Sequence, residues 1–171
     1  MNIQRLTFHT IQSEIPDLCA LLKDTVAHGA SVGFLLPLSE KEALSYWQDV
    51  AKAIDGPHRI LLAAKEDIAL AGTVQLDLAS RPNGRHRAEV AKLMVHTSFR
   101  RRGIARSLMT AIEAEARSAG RTTLVLDTRA GDPSETLYAK LGYQRAGIIP
   151  EYARSTDGNL HATVFMYKLL N

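Results

Sequence analysis

The sequence predicts an α/β (α+β) fold, a mixed, mostly antiparallel sheet of about seven strands covered by about four helices. Apolar stripes at helical spacing alternate with short apolar runs of strand length. RILLAAKE (59–66) and ALAGTVQLDL (69–78) leave only Asp67 and Ile68 between them, which predicts an antiparallel hairpin. No repeat, low-complexity tract or linker divides the 171 residues, 46% of them hydrophobic, so a single domain spanning 1–171 with its own core is expected.

Residues 2–8 alternate as a short strand. From Ile11 to His28 the apolar positions Ile15, Leu18, Cys19, Leu22 and Val26 recur at helical spacing, and Gly29 is placed to stop that helix. A second helix starts at Ser39, which forms a capping box with Glu42, and runs to about Asp55. The connection GASVGFLLPL is apolar for a surface loop; packing onto the core and walling a substrate site both remain open. After the hairpin, SRPNGRHR turns around Pro82, Asn83 and Gly84, and AEVAKLMV (88–95) is a further strand. HTSFRRRGIARSLM (96–109) then leads into a helix whose apolar positions Ile104, Leu108, Ile112 and Ala116 are four apart, with Gly120 ending it. TTLVLDT (122–128) is a buried strand. Asp132 is expected to cap a short helix, with Pro133 at its first position, Glu135 completing the box, and Leu137, Tyr138 and Leu141 facing inward. Strands at 143–149 and 161–169 flank the turn TDGN.

Composition excludes several functions. No apolar run approaches the ~18 residues of a membrane helix, and MNIQRLTFHT lacks the apolar core of a secretory signal. Cys19 is the single cysteine and cannot form an internal disulfide, so a reducing, cytoplasmic setting is expected. The six histidines have no H-E-x-x-H or C-x-x-C companion, and no metal is expected. Residues 81–106 hold eight Lys/Arg against one acid, Glu89, whereas the whole chain is only +3. Charge focused in this way predicts a bound anion. Strand, Arg100–Gly103, then helix converges unpaired backbone N–H groups where Gly103 admits a close approach. The turn is too short for a Walker loop. Aromatic residues make up only 6%, and the basic run precedes the helix instead of lining its outer face, so neither nucleic acid nor a membrane is an expected partner.

Arg100-x-x-Gly103-x-Ala105 between strand and helix resembles the acetyl-CoA pyrophosphate loop of the GCN5-related N-acetyltransferases (GNAT). AEVAKLMV resembles that family's splayed fourth strand, LYAKLGY (137–143) its second cofactor motif, and the element order fits over essentially the whole chain. The resemblance implies a GNAT fold whose fourth and fifth strands part to hold acetyl-CoA. It implies that the backbone of Leu93, Met94 and Val95 pairs with pantetheine. It also implies that Arg100, Arg101, Arg102, Gly103, Ile104, Ala105, Arg106 and Ser107 frame the phosphates. GASVGF (29–34), RAEVAKLMV (87–95), LDTRAG (126–131) and YARSTDGNLHAT (152–163) are similar to the tabtoxin resistance acetyltransferases within that family. The implied function is transfer of an acetyl group to the primary amine of a small amino-acid-like molecule, a toxin or antibiotic, by direct attack in a ternary complex. A protein or peptide acetyltransferase, and a noncatalytic CoA-sensing or nucleic-acid-binding module, are the alternatives. A homodimer is compatible with either.

Glu89 is an acid in an otherwise apolar strand, costly to bury without purpose or partner; alternation places it with Ala91, Leu93 and Val95, and pairing with Arg85 or Arg87 is the competing explanation. Asp127 lies two positions beyond Val125 on one strand face. If both carboxylates face one cleft, repulsion and desolvation raise at least one pKa. The resemblance implies that Glu89 and Asp127 form an acid-base pair, with ammonium binding or turn capping open for Asp127. It implies that Tyr138 protonates the departing thiolate; residues alone would make it a core tyrosine. Gly131 stands where the family often has asparagine, with Asp132 beside it as a replacement. Val32, Gly33, Phe34, Tyr152 and His161 are expected to face substrate.

Overall fold

The computed structural model describes residues 1–170. In chain order it runs β1 (Asn2–Leu6), α1 (Phe8–Ala27), α2 (Glu40–Asp55), β2 (Arg59–Glu66), β3 (Ala69–Leu78), β4 (Arg87–Val95), α3 (Ile104–Ser118), β5 (Thr123–Arg129), α4 (Pro133–Lys140), β6 (Gln144–Arg154) and β7 (Leu160–Leu169). The seven strands form one sheet in the order β1-β2-β3-β4-β5-β7-β6. Every neighbouring pair is antiparallel except β4 with β5, so the mixed, mostly antiparallel sheet and four helices expected from the sequence are present.

Helices cover both faces, which explains why β2 reads as a continuous apolar run. Ile60, Leu62 and Ala64 enter a core with Ile104, Leu108, Ile112 and Ala116 of α3. Leu61 and Ala63, pointing the other way, meet Leu18 and Leu22 of α1 and Trp47 and Val50 of α2. Each fully buried leucine contributes roughly 2 kcal/mol of transfer free energy, so this two-sided burial is the main source of stability.

Local signals set most boundaries. Ser39 and Glu42 form the expected capping box of α2. The first helix begins earlier than its apolar stripe implies, because Thr7 and Thr10 form a reciprocal box that ends β1 at Leu6 and starts α1 at Phe8. The box expected at Asp132 does not form: the Asp132 carboxylate accepts from Arg129 Nε at 2.9 Å, and Glu135 accepts from the Gly131 N–H at 3.0 Å. β6 runs on past 149 to Arg154, with an irregular step between Ile149 and Ala153 where Glu151 has a φ of 52°. Pro150 is tolerated there because β6 is the sheet's outer edge.

Alternation along β4 is broken, which corrects one expectation. On β3, Gln75 faces Ala91 and Thr73 faces Met94, so three steps on β4 match two on β3. Lys92 takes the extra place with a φ of 52°. Val90 before this bulge packs toward α3, Met94 after it packs toward α1 and α2, and Leu93 and Val95 pack toward α3. Glu89 therefore does not share a face with Leu93 and Val95.

Beneath α4, the buried Glu113 pairs with the half-buried Lys168 at 2.7 Å, and Lys168 Nζ also donates to the Leu141 carbonyl at 2.7 Å. Removing one partner of such a pair strands the other, so Glu113→Ala is expected to lower the unfolding free energy by about 3 kcal/mol in urea titration. The double replacement Glu113→Met with Lys168→Met should recover much of that loss.

Candidate active site

The site starts from the strand that stops pairing. β4 and β5 pair over Arg87–Glu89 and Thr123–Val125 alone, and beyond that point the strands part. Glu89, Lys92 and Leu93 line one bank of the gap and Asp127 and Thr128 the other; Tyr138 rises from α4, Ala30–Gly33 come from the α1–α2 connection, and Tyr152 and Ala153 from β6. The cleft encloses about 320 Å3. A second hollow of about 260 Å3 shares Ala30, Ser31, Gly33 and Ala153 with it and continues between Phe34 and Thr156.

The α1–α2 connection is tied across the sheet. Arg129 at the end of β5 donates to Asp132 Oδ1, to Ser155 Oγ at 3.1 Å and to the Gly29 carbonyl at 3.2 Å. The Leu36 N–H reaches Thr156 Oγ1 at 3.4 Å. Thr128 and Ser134 share a hydroxyl hydrogen bond of 2.6 Å that fixes the start of α4 against β5.

Desolvation raises the pKa of Glu89, and repulsion from Asp127 adds to it. Desolvation also raises Asp127, with Lys92 partly offsetting it. Burial pulls the Lys92 ammonium down, against the attraction of Asp127. Tyr138 is 7% exposed, and its burial lifts the phenol above its ordinary range, so it keeps its proton.

The anion loop follows β4. Gly103 has a φ of 81°, and an added Cβ there would meet nothing within 4 Å. Arg100 gives its N–H to the Thr97 carbonyl at 3.3 Å, and Ser107 gives its own to Gly103 at 3.0 Å, opening the helix. Within the expected Arg100–Ser107 frame, Arg101 to Arg106 make no backbone donation among the described residues and so carry the free N–H groups. A hollow of about 240 Å3 lies over them, bounded by Val95, Phe99 and Leu137. Arg102 stacks over Phe99 at 5.4 Å, and Arg100 Nε holds the Val95 carbonyl at 3.3 Å. Free N–H groups at a helix N-terminus, surrounding arginines and a loop glycine with open space above it fit a pyrophosphate. The edge of β4 at Leu93–Val95, which β5 leaves unpaired, fits the amide-bearing pantetheine arm. No group of three or more His, Cys, Asp or Glu among the described residues could hold a metal ion.

Most expected site residues meet here. Val32, Gly33 and Tyr152 line the cleft, and Phe34 lines the adjoining hollow while stacking edge-on against Tyr46 at 5.1 Å. His161 borders neither hollow; its Nε2 stands 3.6 Å from Asp157 Oδ2 in the β6–β7 turn. Two residues were missed. Lys92 enters the cleft only because of the bulge, which a strand pattern does not announce. Asp24 of α1 accepts from Thr97 N at 2.9 Å and Thr97 Oγ1 at 2.8 Å, fixing the start of the anion loop. Burial opposes its charge, but the Thr97 bonds prevail and hold the carboxyl below its usual range.

The profile of the acetyltransferase (GNAT) family matches residues 28–143. An N-acetyltransferase of the hisH-hisA intergenic region of Azospirillum brasilense is 34% identical over 118 residues, which span 68% of each chain. Among solved structures, an aminoglycoside 6'-acetyltransferase type Ii superposes with a TM-score of 0.74 at 25% identity, covering 100% of this chain and 98% of that one. An acetyltransferase from Salmonella typhimurium, solved with acetyl-CoA, superposes with a TM-score of 0.79 at 17% identity, covering 99% and 94%. The chain belongs to the acetyltransferase (GNAT) family, whose co-substrate is acetyl-CoA.

Proposed function

We propose that this N-acetyltransferase acts on the primary amine of a small, amino-acid-like molecule of the toxin or antibiotic kind, by direct attack in a ternary complex. The observation that carries this reading is the roofed cleft: two carboxylates, Glu89 and Asp127, face about 320 Å3 beneath a loop tied by Arg129 to the β6–β7 turn. A protein substrate would need an open trough there. The resemblance of residues 29–34, 87–95, 126–131 and 152–163 to the tabtoxin resistance acetyltransferases supports the same substrate class.

Acetyl-CoA, when bound, supplies a thioester carbonyl as the electrophile. The backbone of Leu93–Val95 and the N–H groups of Arg101–Arg106 hold it, while Arg100 and Arg102 stiffen the loop through Val95 and Phe99. Glu89 takes the proton from the substrate ammonium, directly or through water, and Asp127 keeps the developing positive charge company. As the new N–C bond forms and the C–S bond breaks, Tyr138 Oη gives its proton to the departing sulfur. No acyl-enzyme is needed, and Cys19 is buried in the α1 core.

Three outcomes check this. A thiol-release assay across amino acids, β-lactam amino acids, polyamines, aminoglycosides and peptides should find turnover on a small amine, and on no peptide. Because the base must be ionised, kcat/KM should fall as pH drops through the raised Glu89 pKa, an acid limb above the ordinary carboxylate value of about 4.3. Glu89→Gln should remove that limb and cost about 10²-fold in rate; an unshifted limb would assign the base elsewhere. Tyr138→Phe should lower kcat and leave acetyl-CoA affinity nearly unchanged, whereas Gly103→Val, burdening the loop where φ is 81°, should weaken that affinity about tenfold by calorimetry.

A further inference from the structure

The cleft holds one cation without a partner. The other half-buried lysines are paired: Lys23 with Glu40 at 2.7 Å, Lys65 with Glu14 at 2.6 Å and Lys168 with Glu113 at 2.7 Å. Lys92 lines the same cleft as Glu89 and Asp127, yet no carboxylate lies within ion-pair distance of it among the described residues, and its three N–H donors make no hydrogen bond there. Its position is fixed from two sides. The bulge in β4 turns it into the gap, and its Nζ lies under the roof loop, where a Cβ on Gly33 would meet it at 3.3 Å. Gly33 leaves the ammonium room, and any side chain there would crowd it.

An unpaired cation in a roofed cleft is costly unless an anion arrives with the ligand. The fall in its pKa on burial agrees with that cost. Glu89 and Asp127 attract Lys92 across the cleft without touching it, so its donors stay available.

We propose that Lys92 is a specificity-determining residue whose ammonium receives a carboxylate of the acceptor. The inference rests on the small-amine reading above and narrows it: the acceptor carries its amine toward Glu89 and Asp127 and its carboxylate toward Lys92, beneath Gly33. A zwitterion meets an opposite charge at both ends. A polyamine or an aminoglycoside brings a second cation against Lys92 and is rejected by like charge.

The test compares kcat/KM for the standard L-amino acids, their carboxamides and spermidine, using the wild type, Lys92→Met, Lys92→Arg and Lys92→Gly. Glycine suits the positive φ at this position, so a loss seen in Lys92→Gly is not a folding defect. The wild type is expected to favour its best amino acid over the matching carboxamide by about ten- to a hundredfold. Lys92→Met and Lys92→Gly should bring that ratio to about one, chiefly through a higher KM for the acid, while Lys92→Arg keeps part of it. A wild-type ratio near one, variants that slow acid and carboxamide by the same factor, or a preference for spermidine over every amino acid would overturn the role of Lys92 and leave acetylation of small amines standing. Silence on every amine by a protein that still binds acetyl-CoA would overturn both readings.

Discussion

The site depends on β4 being kept from pairing with β5 beyond Glu89. Were the ladder continuous, the cleft would close into ordinary sheet and leave no edge for a ligand. Where the strands have parted, β4 carries one inserted residue, Lys92, in left-handed backbone geometry that costs a non-glycine residue about 1–2 kcal/mol. Burial on both sides of the bulge compensates for it: Val90 is anchored in the core beneath α3, and Met94 in the core beneath α1 and α2. The same insertion has two consequences. It turns Lys92 into the cleft, and it moves Leu93 and Val95 to the α3 side. An unpaired edge inside a sheet invites association with other chains, and here helix, loop and hairpin surround it.

Preorganisation comes from ties between distant parts of the chain. Asp24 on α1 holds Thr97 at the mouth of the anion loop. Arg129 joins β5, the α1–α2 connection and the β6–β7 turn, so roof and rim are held by one guanidinium. The Thr128–Ser134 bond and the Lys168 contact to Leu141 fix the two ends of α4, and with them Tyr138. These ties place the acidic pair, the lysine and the phenol around one volume before any ligand arrives, which is what lets a small displacement of charge in the reaction meet a dipole already aimed at it.

What the sequence made legible was whatever has a local signature. The apolar period and the Ser39–Glu42 box placed α2, the two-residue gap placed the β2–β3 hairpin, and glycine after a run of arginines placed the anion loop. The carboxylates Glu89 and Asp127 stood out as acids in apolar strands, and the cleft brings both to one volume. What stayed hidden was set by competition or distance. Asp132 did not cap α4 because Arg129 claims its carboxylate. The strand expected over 143–149 runs on through Pro150 to Arg154, because an edge strand has no ladder on its outer side to lose. Asp24 is 73 residues from the threonine it fixes, and no pattern links them. The bulge depends on the φ of one lysine, so strict alternation carried Leu93 and Val95 to the wrong face.

Several departures from local rules lie together at the cleft and the loop that follows β4. A lysine and an arginine with φ of 52° and 63°, six backbone N–H groups with no acceptor, an ammonium without a carboxylate, and two acids whose partial desolvation raises their pKa all lie along one path from Arg101 to Glu89. The other half-buried lysines are held in pairs, as in Lys65–Glu14 and Lys168–Glu113. A fold optimised only for stability would have removed each exception cheaply: glycine at the bulge, an acid beside the lysine, alanine for Glu89. On the proposed reading, their concentration on one path maps the ligand in negative, with phosphates against the free N–H groups, peptide-like atoms along the β4 edge that β5 leaves unpaired, and charged ends of an acceptor among Glu89, Asp127 and Lys92.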